Sequence, residues 1–146
     1  LIPQVDINYR TTGPNILSGH SLGGLLAAYD FLEESPIFNA HISMDPSLWW
    51  DDKLILKQAK ERIAEKSLKG SLYLSLPKPN HASKQITMEL AKILKESALE
   101  GLRSKLDIFE AETHGSVPLL SLYNGLLFLF EGYKPSNWDL LISKVR

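Results

Sequence analysis

The chain has no cysteine among its 146 residues. That removes a disulfide framework, a thiolate nucleophile and a cysteine metal site, and it leaves the redox compartment unread. Charge of one sign is also lacking, because 16 Lys and Arg against 17 Asp and Glu leave a net charge of -1. With no basic field, neither the phosphate backbone of a nucleic acid nor an anionic membrane is an expected partner. Long apolar runs are absent too: a stretch such as Leu126 to Phe130 is only a few residues, against the roughly 20 that a membrane-crossing helix needs. The chain opens Leu1-Ile2-Pro3, with no initiator Met and no signal-peptide pattern. It is therefore expected to be part of a larger protein, with its localisation open.

What is present suits one domain: 44% apolar and 23% charged residues can bury a core. Leu1 to Tyr9 is short and Pro-interrupted, the expected end of a helix, and Thr11-Thr12-Gly13-Pro14 breaks it. Asn15 to Ser18 is a short strand candidate, running through Gly19-His20-Ser21-Leu22-Gly23-Gly24 into an apolar helix over Leu25 to Leu32. Ala40 to Met44 reads as a second buried strand, and a half-exposed helix follows within Lys53 to Lys66, where Leu56, Ala59 and Ile63 recur at helical spacing. Ser71 to Leu76, a helix from about Ser83 to Glu100, Lys105 to Glu110 and an apolar helix over Pro118 to Glu131 complete the series. Strands alternating with helices of this length predict an α/β fold, a parallel sheet covered by helices on both faces.

Gly19-His20-Ser21-Leu22-Gly23 matches G-x-S-x-G, a strand-to-helix turn that lifts its serine into an exposed, strained position. At average glycine usage the bare pattern arises by accident in roughly one chain of this size in twenty, so the flanking strand and helix carry much of the weight. Side chains at Gly19 or Gly23 are expected to collide with neighbouring elements. The Leu22 amide, at the amino end of the helix, is the candidate oxyanion donor. A serine hydroxyl needs a base within hydrogen-bond reach. In the chain order Ser, acid, His, only His114, in the loop after the last strand, fits. The other histidines, His20, His41 and His81, read more readily as structural or exposed than as catalytic. His20, inside the elbow, is nonetheless a candidate for substrate binding.

Three motifs in order, Gly19-His20-Ser21-Leu22-Gly23-Gly24, Asp45-Pro46-Ser47-Leu48-Trp49-Trp50 and Thr113-His114-Gly115-Ser116-Val117, together resemble an esterase family of α/β hydrolases. That family includes S-formylglutathione hydrolase (esterase D) and the siderophore esterases. The resemblance covers about Leu1 to Tyr133. It implies a three-layer α/β/α-hydrolase fold with a mainly parallel sheet, present as a carboxyl-terminal part. It also implies ester or thioester hydrolysis without metal or organic cofactor. Residues 1–135 are then a partial hydrolase domain and 136–146 the start of a helical extension. Family members carry four or more strands before the elbow, and a loop there supplies the second oxyanion donor. Those strands have no counterpart in this chain.

The acid is the open question, because Pro77 to Thr87, where the family commonly places it, contains no Asp or Glu. Asp45, at the end of the strand after the elbow strand, is one candidate and Glu89, slightly late and helical, another. A third arrangement is a Ser-His dyad oriented by Asn80 or a backbone carbonyl. Asp45 also has an ordinary explanation as the cap of the turn at Pro46 and Ser47. Trp49 and Trp50 are weighed toward the core on burial statistics, although beside the elbow Trp49 is a candidate to line a substrate pocket.

The expected function is a serine esterase acting on a small-molecule ester: Ser21 attacks, His114 moves the proton and Leu22 N–H meets the oxyanion. A non-catalytic interaction domain that keeps the fold, and an acyltransferase on the same residues, are the alternatives. Without preceding strands the elbow strand becomes a sheet edge, and pairing of that edge into a homodimer is expected.

Overall fold

A computed structural model describes residues 2–11, 13–78 and 82–133 of the chain. The extension expected at 136–146, together with Asn80 and His81, lies outside the described residues. The element order is α1 (Ile2–Asn8), β1 (Ile16–His20), α2 (Leu22–Leu32), β2 (Ala40–Met44), α3 (Trp50–Ala64), β3 (Gly70–Pro77), α4 (Ala82–Ser97), β4 (Leu102–Phe109) and α5 (Val117–Leu129).

The four strands form one parallel sheet in the order β1-β2-β3-β4. Each strand pairs with the next in sequence because a helix of the intervening length returns the chain to the same starting edge. The registers align the carboxyl ends of the strands, with His20 beside Met44, Met44 beside Ser75, and Ser75 beside Asp107. Loops leaving that end of a parallel sheet form the crevice where such folds place ligands.

Side-chain alternation along the strands divides the core between two layers. On one face Leu72 and Leu74 of β3 pack with Phe31 and Leu32 of α2, Ile55, Leu56 and Ala59 of α3, and Ile86, Leu90 and Leu94 of α4. On the other, Ile42 and Met44 of β2 and Tyr73 of β3 pack with Phe128 and Leu129 of α5. β2 is buried at every position, as a strand covered on both faces must be. Close packing sets the α5 side: a Cβ on Gly125 would stand 2.9 Å from Ile42 Cδ1. Buried Tyr73 donates its hydroxyl to Asp107 at 2.8 Å, and burial, with that carboxylate, pushes its pKa up.

Several surfaces are left open among the described residues. The sheet is open at its ends, since β1 pairs only with β2 and β4 only with β3, so the outer side of each is an edge. On α5 the apolar residues Leu119, Tyr123 and Leu127 are exposed.

The α/β class and the parallel sheet agree with the expectation from sequence, and β2 has the expected bounds. β1 extends two residues further, through Gly19 and His20, and α2 begins at Leu22 rather than Leu25, despite two glycines in its first turn. One expectation about the elbow is corrected. A Cβ on Gly19 would overlap the Gly23 carbonyl, whereas one on Gly23 meets nothing within 4 Å. The second tight glycine is Gly24, whose Cβ would sit 3.0 Å from the Met44 carbonyl oxygen and from Pro46. Gly24 faces the turn after β2, and Gly23 does not.

Candidate active site

Ser21 stands between the last residue of β1 and the first of α2, with φ 59 and ψ -115. A non-glycine residue in this conformation is strained, and strain of this kind collects at functional turns. Three backbone hydrogen bonds hold the turn. Ser21 N–H donates to Met44 O at 3.0 Å, Leu25 N–H to Ser21 O at 3.0 Å, and Ser47 N–H to Ser21 O at 3.1 Å. The serine is thereby tied both to its own helix and to the loop that follows β2.

That loop begins with Asp45, itself at positive φ (37) and anchored by its N–H to Ser75 O at 2.8 Å. Asp45 is 5% exposed. Its Oδ2 lies 2.7 Å from Nδ1 of His114, a residue that reaches across from the loop between β4 and α5. Within that loop Thr113 and Ser116 bond each other, the Thr113 N–H donating to Ser116 Oγ at 3.0 Å. The His114 side chain is 57% exposed, so the buried carboxylate presents a ring that solvent and substrate can both reach. Glu89, the other acidic candidate, pairs with Lys60 at 3.7 Å.

Ser21 Oγ lies 3.4 Å from Ser47 Oγ, and among the described residues it makes no hydrogen bond to His114. The expected serine-base contact is therefore not closed here. Such contacts are often long in unliganded hydrolases and tighten when substrate binds. The His20 ring lies against that of His114, with centroids 4.3 Å apart and a 40° tilt. Burial, then the neighbouring His114, lower the pKa of His20 from its ordinary value, and among the described residues its buried Nε2 has no partner.

The Leu22 amide opens α2, where first-turn N–H groups have no carbonyl of their own helix to meet. Donors so placed, at the positive end of a helix dipole, suit a developing oxyanion. An open cleft of about 370 Å³ runs from Asp45 and Ser47 past Trp49 to Lys84, Glu112 and His114. A second, more apolar groove of about 320 Å³ begins at Leu22 and is lined by Leu26, Tyr29, Trp50 and Leu54.

The two tryptophans correct a sequence expectation, because Trp49 is 52% and Trp50 55% exposed rather than in the core. They precede three successive residues at positive φ, Asp51, Asp52 and Lys53, and this left-handed turn carries both rings to the surface. His41 is buried and bonded to Asp30 at 2.8 Å, a structural placement. Two polar neighbours of the candidate site escaped the sequence reading. Ser47 touches the serine hydroxyl, and Lys84 Nζ lies 3.7 Å from Asp45 Oδ2. Ser47 stands in a quoted motif, whereas no sequence signal marks Lys84.

The strained Ser21 turn and the Asp45–His114 pair thus stand at the same end of the sheet. No family model matches the chain. It is 27% identical over 143 residues to the siderophore enterobactin esterase of Emericella nidulans, covering 80% of this chain and 47% of that protein. It is also 27% identical over 143 residues to the siderophore triacetylfusarinine C esterase of Aspergillus fumigatus, covering 80% and 49%. Among solved structures it is similar to the IroE-like serine hydrolase from Shewanella oneidensis, with TM-score 0.83 and 28% identity over 98% of this chain and 49% of that one. The chain thus spans about half the length of the relatives it matches. These likenesses support an esterase and an α/β fold.

Proposed function

We propose that this chain carries the nucleophile, acid and base of a serine carboxylic-ester hydrolase. The observation that carries the reading is the 2.7 Å contact between buried Asp45 and half-exposed His114, at the same end of the sheet as the strained Ser21 turn. Ser21 Oγ attacks the ester carbonyl, and His114 takes the hydroxyl proton and returns it to the leaving alkoxide. Asp45 holds the His114 tautomer and faces the imidazolium as it forms. Leu22 N–H donates to the oxyanion. Water then releases the acid from the acyl-enzyme. Trp49 and His20 flank the acyl or leaving group.

The similar proteins are named for siderophore esters, so an ester of that class is the first substrate to assay, beside simple acyl and aryl esters. In the protein at its full natural length, Ser21→Ala lowers ester turnover by at least about a thousandfold with the melting temperature unchanged. A folded Ser21→Ala variant that kept full activity would sink the assignment. The unclosed Ser21 to His114 contact favours a second reading, a non-catalytic domain that retains the elbow for packing. A fluorophosphonate probe separates the two, since only an activated serine is labelled.

The open β1 edge and the exposed α5 leucines support self-association of the chain by itself.

A further inference from the structure

Asp45 Oδ2 has two nitrogen neighbours rather than one, an imidazole and an ammonium. His114 approaches from the β4 to α5 loop at 2.7 Å, and Lys84, from the first turn of α4, at 3.7 Å. The Lys84 side chain is only 14% exposed, and its ammonium also donates to the Lys78 carbonyl at 3.5 Å. This is a docked lysine rather than a solvated one.

Resting on the esterase reading above, we propose that Lys84 is a positioning residue. It supplies the counter-charge that keeps the buried Asp45 carboxylate ionised and in place while His114 is neutral.

The need for such a charge follows from burial. A carboxylate with so little exposure is costly to ionise unless paired. If His114 were its only partner, the pair would be most stable with His114 protonated, and a protonated imidazole accepts no proton from serine. Lys84 separates the two demands. In the resting state Lys84 balances Asp45 and His114 stays a base, and in the transition state the imidazolium joins a carboxylate already ionised and aligned.

Among the described residues no other facing charge fills this role. From β1, His20 faces His114 and is held toward its neutral form by burial. From the loop after β3, Lys78 offers its carbonyl to Lys84. From the β4 to α5 loop, Glu112 lines the cleft with charge of the same sign as Asp45. Trp49, before α3, is uncharged.

The test is the pH dependence of kcat/KM for ester hydrolysis between pH 5 and 9, using the protein at its full natural length. Lys84→Met is expected to move the acid limb upward by about one pH unit. Below the limb this is roughly a tenfold loss, while the alkaline plateau stays within about threefold of the parent. Lys84→Arg, which keeps the charge, is expected to keep the limb in place. A purely structural role would instead lower the plateau and the melting temperature without moving the limb. An acid limb unmoved in folded Lys84→Met overturns the proposal. If Lys84→Met does not fold, Lys84→Gln carries the same test, and if both neutral variants unfold the residue is structural and the proposal falls. Ser21→Ala is measured alongside. Loss of activity there with an unmoved Lys84→Met limb discards only the role of Lys84, whereas an active Ser21→Ala discards the esterase reading itself.

Discussion

Replacing Asp45 by Asn tests the site most directly, because it keeps the shape of the side chain and removes its charge. The carboxylate accepts from His114 Nδ1 at 2.7 Å and is 5% exposed, so the contact is direct and the carboxylate is held by the fold. An asparagine amide that donates toward Nδ1 selects the tautomer in which Nε2 carries the proton, and that ring cannot deprotonate Ser21. Loss of the corresponding acid in a serine protease costs about 10⁴ in kcat. His114 is half exposed, and solvent screens the imidazolium, so the expected loss here is smaller, about 10² to 10³. At about 1.4 kcal/mol per tenfold this is about 3 to 4 kcal/mol of transition-state stabilisation. KM should change little, because the lost interaction strengthens only as the proton moves. The same change leaves Lys84 without its carboxylate, so a drop of several degrees in melting temperature is expected as well. The assay is steady-state hydrolysis of a chromogenic ester by the full-length protein, with circular dichroism to show that the fold survives. A folded Asp45→Asn variant that lost less than about threefold in kcat would refute the reasoning and leave a Ser-His dyad in its place.

Three further outcomes are expected. Gly19→Ala should unfold the chain or cost more than about 3 kcal/mol, since its Cβ overlaps the Gly23 carbonyl, whereas Gly23→Ala should fall within about 1 kcal/mol of the parent. Equal effects in chemical denaturation would show that the elbow is packed otherwise. Burial lowers the pKa values of both His20 and His41, for His41 against the opposing pull of Asp30. The unfolded chain therefore takes up protons below about pH 6.5 that the folded chain refuses, and stability should fall as pH drops from 6.5 toward 5. A flat stability curve across that window would contradict the burial of these rings. In light scattering the 146-residue chain should run as a dimer through its open β1 edge, and a stable 16.4 kDa monomer would count against that surface being adhesive.

Local signals carried much of this structure. The bounds of β2 were readable because Ala40 to Met44 is closed by Asp45-Pro46, and α5 because Pro118 marks a first turn. β1 was read short because a glycine and a histidine do not look like strand, and only the parallel partner at Ser43 and Met44 makes them one. β4 begins at Leu102 instead of Lys105 because pairing with Gly70 to Leu72 of β3 draws Leu102, Arg103 and Ser104 into the strand. Ser21 and His114 were named from motif and chain order. Asp45 stayed one of three candidates because its contact with His114 joins residues 69 apart, and only the fold decides which carboxylate stands there. Lys84 was invisible for the same reason, one lysine among many on a helix with no pattern to single it out. The exposure of Trp49 and Trp50 depends on a left-handed turn that Asp51-Asp52-Lys53 does not advertise.

The sequential order of the strands has a consequence for how the chain assembles. Each strand finds its partner one crossover away, so the sheet can extend from any neighbouring pair, and no pairing waits for the far end of the chain. The Asp45 to His114 contact is different. It forms only after β3 and β4 have docked and the last loop has turned back over the sheet, with the entropy of a 69-residue closure already spent. Secondary structure should thus return early in refolding and the carboxylate-imidazole pair late. Recovery of serine reactivity, followed in time, would then be a clock for the final step of folding.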